Sequence, residues 1–196
     1  MSSTRSDARV PLRGGRAELI QVQGSCVPAI ACGVGAGASS IITRPYVVRQ
    51  DAEGSYAVFT SAVTETASAD YEPEQIEAWL SARPADSYQW NARRAAAHTW
   101  VATADDRVVG FVDFLDDGLL DMLFVHPDFG GRGVAKLLVS TVKREAVLSG
   151  LSALRTRASR TARPAFERFG FRVVAFRPDN RVGEQVVPNY EMECVL

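Results

Sequence analysis

The sequence predicts a mixed α/β domain in which a central, mostly antiparallel sheet carries helices on both faces. Three observations carry this reading. Two apolar runs, Trp100-Val101-Ala102-Thr103 and Val108-Val109-Gly110-Phe111-Val112-Asp113-Phe114, flank the polar Ala104-Asp105-Asp106-Arg107 as the arms of a hairpin do, and the acidic turn Asp116-Asp117-Gly118 feeds 119–125 as a third strand. Val134, Leu137, Leu138, Thr141 and Val142 then fall at i, i+3, i+4, i+7 and i+8, a helical face that must be buried against the sheet. The last eight residues, 189–196, alternate in period two and read as a closing strand.

The remaining elements follow in order. Residues 1–43 read as an N-terminal extension of poor order: Arg5, Arg9, Arg13 and Arg16 precede a small-residue stretch holding Gly33, Gly35 and Gly37. That stretch is rich in alanine and glycine rather than leucine, and Glu18, Gln21 and Gln23 interrupt its approach, unlike a secretory signal. Residues 44–196 form the domain. A short strand is expected at 45–49 and a helix over 51–69. Tyr71-Glu72-Pro73-Glu74-Gln75 starts a second helix, with Pro at an early position and Ile76, Trp79 and Leu80 at helical spacing. Past the long helix, which Gly150 ends, a buried strand is expected at 153–156, a short helix at 161–168 closed by Gly170, and a strand at 171–176.

Composition narrows the class. At 196 residues, 46% hydrophobic and 23% charged, the chain can build one well-cored domain. A net charge of −1 with both signs interspersed gives no electrostatic reason to expect nucleic acid or an anionic membrane as partner. The three cysteines, Cys26, Cys32 and Cys194, are odd in number and lie in no metal-ligand spacing with histidine, so no metal and a reducing, cytoplasmic setting are expected.

The densest chemical signal is Leu123-Phe124-Val125-His126-Pro127 followed by Gly130-Gly131-Arg132-Gly133-Val134-Ala135-Lys136. A glycine-rich turn after a strand and at the mouth of a helix exposes free N–H groups at the positive end of the helix dipole, and phosphates bind there readily. Arg132 and Lys136 add charge. His126, before Pro127, reads as capping the strand end rather than as a base. Phe111, Phe114, Phe169 and Phe171 read as core. The turn lacks a G-K-[ST] sequence after its glycines, which excludes a P-loop.

These residues resemble the GNAT superfamily of N-acetyltransferases, which use acetyl-coenzyme A. Its motif Q/R-x-x-G-x-G/A maps onto Gly130-Gly131-Arg132-Gly133-Val134-Ala135, with Gly130 where Gln or Arg is usual. Ala158-Ser159-Arg160-Thr161-Ala162 with Phe166-Glu167-Arg168-Phe169-Gly170-Phe171 resembles the second coenzyme-contacting motif. The resemblance covers about 45–196. It implies a GNAT fold, acetyl-CoA as donor, a pyrophosphate on the N–H groups from about Gly130 to Ala135 with Arg132 and Lys136 adding charge nearby, and a pantetheine arm beside the main chain of Leu123, Phe124 and Val125, with Ser159 and Phe166 touching it from the other side.

Acyl transfer from a thioester needs a neutral amine, a polarised carbonyl and a proton for the leaving thiolate. A backbone N–H near Phe124 or Val125 can serve the oxyanion. Many family members carry a tyrosine where this chain has Phe166, which cannot donate a proton. Tyr190 on the closing strand is the alternative acid, against simple packing beside Met192. Asp121 is the candidate base, against a structural aspartate or water-mediated proton removal. Tyr71, Trp79, Tyr88 and Trp90 are candidates for an aromatic wall of the acceptor pocket, and Glu72, Glu74 and Glu77 for attracting a cationic amine, against core and solvated-face roles. The expected activity is direct acetyl transfer to a small-molecule or peptide amine by a monomer or homodimer; the alternative is a non-catalytic acyl-CoA-binding module.

Overall fold

A computed structural model describes residues 40–82 and 87–196. The extension expected over 1–43, with Cys26 and Cys32, lies outside the described residues except for its last four positions. The first strand, β1 (Ile41–Pro45), begins within those positions rather than at 45. The reason is local. Pro45 has no N–H to extend a ladder, Arg49 adopts φ +70°, and the buried Asp51 carboxylate draws the chain into a turn. It takes both Arg44 guanidinium nitrogens at 2.6 and 2.7 Å and the Val47 N–H at 2.7 Å.

Helix α1 (Ala52–Ser61) runs on through a π-helical turn at Ala62–Thr66 and a 3₁₀ turn at Ala67–Ala69, filling the span expected for one helix. α2 (Pro73–Ser81) starts where expected. Glu72 and Gln75 form a reciprocal capping box ahead of Pro73. A third helix, α3 (Ser87–Ala95), was not expected from the sequence; it is polar apart from Trp90, which is fully buried.

The meander is as read: β2 (His98–Ala104), β3 (Arg107–Phe114) and β4 (Leu119–Val125). Asp105 and Asp106 both take positive φ, the geometry of a two-residue hairpin turn. α4 (Val134–Leu148), β5 (Ala153–Ala158), α5 (Arg163–Arg168) and β6 (Arg172–Arg177) follow. A small hairpin, β7 (Arg181–Val182) and β8 (Gln185–Val186), precedes the closing strand β9 (Asn189–Val195). The seven-stranded sheet has the order β1-β2-β3-β4-β5-β9-β6, and only β4 and β5 pair in parallel, joined by the α4 crossover.

Two cores form on opposite faces of the sheet. On one, Leu138, Val142 and Ala146 of α4 meet Val112, Leu120, Leu154, Phe166 and Met192. On the other, Val58, Phe59 and Val63 meet Trp90, Val101 and Phe111. Alternation along β3, with Phe111 to one side and Val112 to the other, divides them. Burying each large side chain contributes about 1.5–3 kcal/mol, so both helical layers are held firmly.

Candidate active site

β4 and β5 pair only at Leu119↔Arg155 and Leu120↔Thr156, and beyond these they splay apart. A bulge begins the divergence: Phe114 pairs with Leu120 and Asp113 with Met122, leaving Asp121 as the extra residue of β4. The bulge is pinned from below. The Met122 N–H donates to Asp113 Oδ1 at 2.9 Å, and the fully buried Asp113 forms an ion pair with Arg94 Nε at 2.6 Å. Burial pushes the Asp113 carboxyl up to about 6, with Arg94 opposing and Asp121 adding to the shift. Arg94 lies over the Trp90 ring at 4.8 Å.

Above the bulge, hydrogen bonding alternates along β4. The His126 N–H donates to Val109 O at 2.9 Å, so His126, Phe124 and Met122 turn their main-chain groups toward β3, while Leu123 and Val125 turn theirs into the gap. The main-chain role expected of Phe124 is thereby corrected: its N–H and C=O face β3, and its ring packs on Phe59 at 5.0 Å and lines the cleft.

At the end of β4 the chain makes a 3₁₀ turn, Pro127–Phe129, and enters the glycine loop. Gly131 and Gly133 take φ of +71° and +82°, and a Cβ added at either would meet nothing within 4 Å. The first helical bond of α4 runs from the Leu137 N–H to Gly133 O, so the N–H groups of Val134, Ala135 and Lys136 have no acceptor within the helix. Open space, free donors and the exposed Arg132 and Lys136 fit a pyrophosphate. Arg132 stacks on Phe129 at 4.9 Å. His126 Nε2 lies 2.9 Å from the Arg107 guanidinium and its Nδ1 lies 3.3 Å from the Asp128 N–H, contacts that hold the ring at the end of β4.

The gap opens into a cleft of about 410 Å³. Leu123, Ser159, Ala162 and Phe166 line its donor side, and Phe59, Trp79, Trp90 and Asp121 line its far side. Of the expected aromatic wall, Tyr71, Trp79 and Trp90 are present, whereas Tyr88 is exposed and elsewhere. Glu72, Glu74 and Glu77 line other grooves and not this cleft. Ser159 Oγ accepts from the Ala162 N–H at 3.0 Å, shaping the entry to α5.

Two candidate catalytic residues part company here. Asp121 lines the cleft. Tyr190 is not among its lining residues; its ring packs on Phe176 at 4.9 Å, with Arg163 over it at 4.7 Å. The phenol that does line the cleft is Tyr71. It accepts from the Arg160 N–H at 2.8 Å, it donates to the Pro188 carbonyl at 3.4 Å, and the Ser159 side chain is a further hydrogen-bond partner. Burial raises its pKa above the ordinary phenol value. The contact between Tyr71 and Arg160 spans 89 positions, a separation that no local sequence pattern encodes.

Residues 67–196 match the family model of the acetyltransferase (GNAT) domain. The chain belongs to the GNAT family of N-acetyltransferases. This GNAT chain is 42% identical over 119 residues to the uncharacterized N-acetyltransferase YafP of Escherichia coli, a match spanning 60% of the chain and 73% of the relative. A GCN5-related N-acetyltransferase of Rhodopseudomonas palustris superposes with a TM-score of 0.75 at 30% identity, over 83% of this chain and 100% of that one. The PaiA N-acetyltransferase of Thermoplasma acidophilum, solved with coenzyme A, shares the fold with a TM-score of 0.66 at 18% identity, over 80% and 99% of the two chains. The GNAT fold predicted from the motifs is the fold observed.

Proposed function

We propose that the protein transfers an acetyl group from acetyl-CoA to an amine directly, within a ternary complex. The carrying observation is the β4–β5 gap, which runs from the glycine loop along Leu123 and Val125 to a cleft holding one phenol and one carboxylate among its described residues. Acetyl-CoA supplies the activated acetyl thioester. The residues fit its parts: free first-turn N–H groups with Arg132 and Lys136 for the pyrophosphate, and the outward main-chain groups of Leu123 and Val125 for the amide arm. Ser159 and Phe166 flank that arm. The coenzyme A in the Thermoplasma relative supports the same donor.

Each residue then has a task. A gap-facing N–H, of Leu123 or Val125, steadies negative charge developing on the acyl oxygen. Asp121, directly or through water, takes a proton from the attacking amine. Tyr71 gives its proton to the departing sulfur, replacing the tyrosine that Phe166 cannot supply. Its raised pKa keeps that proton in place at neutral pH.

The test is release of free thiol from acetyl-CoA across a broad amine panel, with coenzyme affinity measured by calorimetry. Turnover of at least one acceptor is expected. Tight coenzyme binding with no thiol release across the panel would favour a non-catalytic acyl-CoA-binding module instead.

A further inference from the structure

Charge is sorted between the two concavities that share Tyr71. The groove beside α2 is lined by Asp70, Glu72 and Glu77 against Arg160. The cleft at the β4 bulge has the opposite balance: Arg93, Arg157 and Arg181 against Asp121. These cations stand on three separate elements, α3, β5 and β7, that converge on one space. In a chain whose net charge is −1, that convergence is a local feature rather than an overall bias.

The cations are only partly committed. Arg93 and Arg157 make no hydrogen bond or ion pair among the described residues, although Arg157 also borders the groove over β5 and β9 and attracts Glu191 there. Glu191, opposite Arg157 on β9, is already held by both Arg177 guanidinium nitrogens at 3.0 Å. Arg181 spends one nitrogen on the Glu184 carbonyl at 2.7 Å, leaving the rest of its fork free. A guanidinium stays charged and its fork matches the two oxygens of a carboxylate or phosphate. Asn189, also lining the cleft, has a buried Oδ1 with no partner among the described residues, an acceptor suited to an amine N–H. The aromatic side chains of Phe59 and Trp79 complete an apolar wall.

Resting on the transferase reading, we infer that the acceptor is an amine that also carries an anionic group, its nitrogen toward Asp121 and Asn189 and its anion toward Arg93, Arg157 and Arg181. This deepens the proposed function by naming the acceptor class. The arginines lie beyond the β4 bulge and not at the glycine loop, so the anion they meet is separate from the pyrophosphate.

Matched amines decide it. Calorimetry on the full chain saturated with coenzyme A compares phenylalanine with 2-phenylethylamine, tryptophan with tryptamine, and O-phosphoethanolamine with ethanolamine. The anionic member of at least one pair binds about tenfold tighter or better, and the pair that discriminates distinguishes carboxylate from phosphate. Arg157→Gln and Arg93→Gln, both exposed positions, bring that ratio toward unity while leaving coenzyme A affinity unchanged. Equal affinities in every pair, preference for the members lacking the anion, or binding of none overturns the inference. Thiol release measured alongside keeps the two claims apart: anion discrimination without turnover sinks the transferase reading alone, and turnover without discrimination sinks the acceptor class alone.

Discussion

Tyr71 combines a buried ring with a hydroxyl that accepts from the Arg160 main chain and donates to the Pro188 carbonyl at 3.4 Å. Tyr71→Phe removes only that hydroxyl. It is expected to lower kcat by about 10² while the acetyl-CoA KM stays near wild type, as steady-state kinetics would register. Tyr190→Phe should leave kcat within about twofold, because Tyr190 packs outside the cleft; a large loss there together with an unaffected Tyr71→Phe would reverse the assignment. Lys136→Glu probes the donor loop separately. An acid in the first turn of α4 favours the helix dipole, so the melting temperature should hold or rise slightly, while coenzyme A affinity drops about tenfold and the drop shrinks in high salt. At this scale the sequence was informative where the backbone does the work: Gly131, Gly133 and the free N–H groups follow from residue type. Asp121 could be assigned to β4 from the strand pattern, and it lines the cleft. The hydrogen bond between Tyr71 and the Arg160 N–H could not, since it joins residues 89 positions apart.

The decisive element is β4, because its bulge both starts the splay and presents Asp121. Asp113 holds the bulge through the Met122 N–H. Asp113→Ala leaves that buried donor unsatisfied and the buried Arg94 charge unpaired, and is expected to cost about 3–5 kcal/mol in urea unfolding, whereas Asp113→Asn keeps an acceptor for the N–H and costs less. The Asp113 carboxyl, raised from 3.8 to about 6 in the folded state, binds its proton more tightly there than in the unfolded chain. Its stabilising contribution is therefore full below 3.8 and lost as pH rises through about 6. Wild type measured against Asp113→Asn should show this fall between pH 4 and 6, and a flat difference would contradict it. Gly133→Ala is a mixed test. At φ +82° the added Cβ costs about 1–2 kcal/mol of stability even in open space, so lost coenzyme affinity must be judged on folded protein. A Cβ without cost in the melting curve would contradict the left-handed geometry. Long periodic elements were legible in sequence: the meander, α4 and the closing strand. α3 was missed because Trp90 is the lone large apolar residue turned fully inward on a polar helix, and β7 and β8 are two residues each, too short for any period to register. A bulge is one extra residue and leaves no pattern at all.

Across the whole molecule, the sheet order explains how the glycine loop and the cleft share one opening. The α4 crossover makes β4 and β5 parallel neighbours and puts the glycine loop at the end of β4, while β9 inserts between β5 and β6. The β7–β8 hairpin reaches α2, where Gln75 donates to the Val186 carbonyl, and so closes the cleft over the bulge. The glycine loop is legible in sequence, since a phosphate-type cradle is written in consecutive residues. The cleft is assembled from α1, α3, β4, β5 and the hairpin, and its charge becomes visible only when those elements meet: the glutamates expected to draw a cation lie in other grooves, and arginines line the cleft. A crystal structure of the complex with coenzyme A tests the account most directly. It should show the arm between β4 and β5 with the sulfur within hydrogen-bond reach of Tyr71 Oη, about 3.5 Å or one bridging water. A sulfur lying outside the β4–β5 gap, or seated against Tyr190 instead, would contradict it.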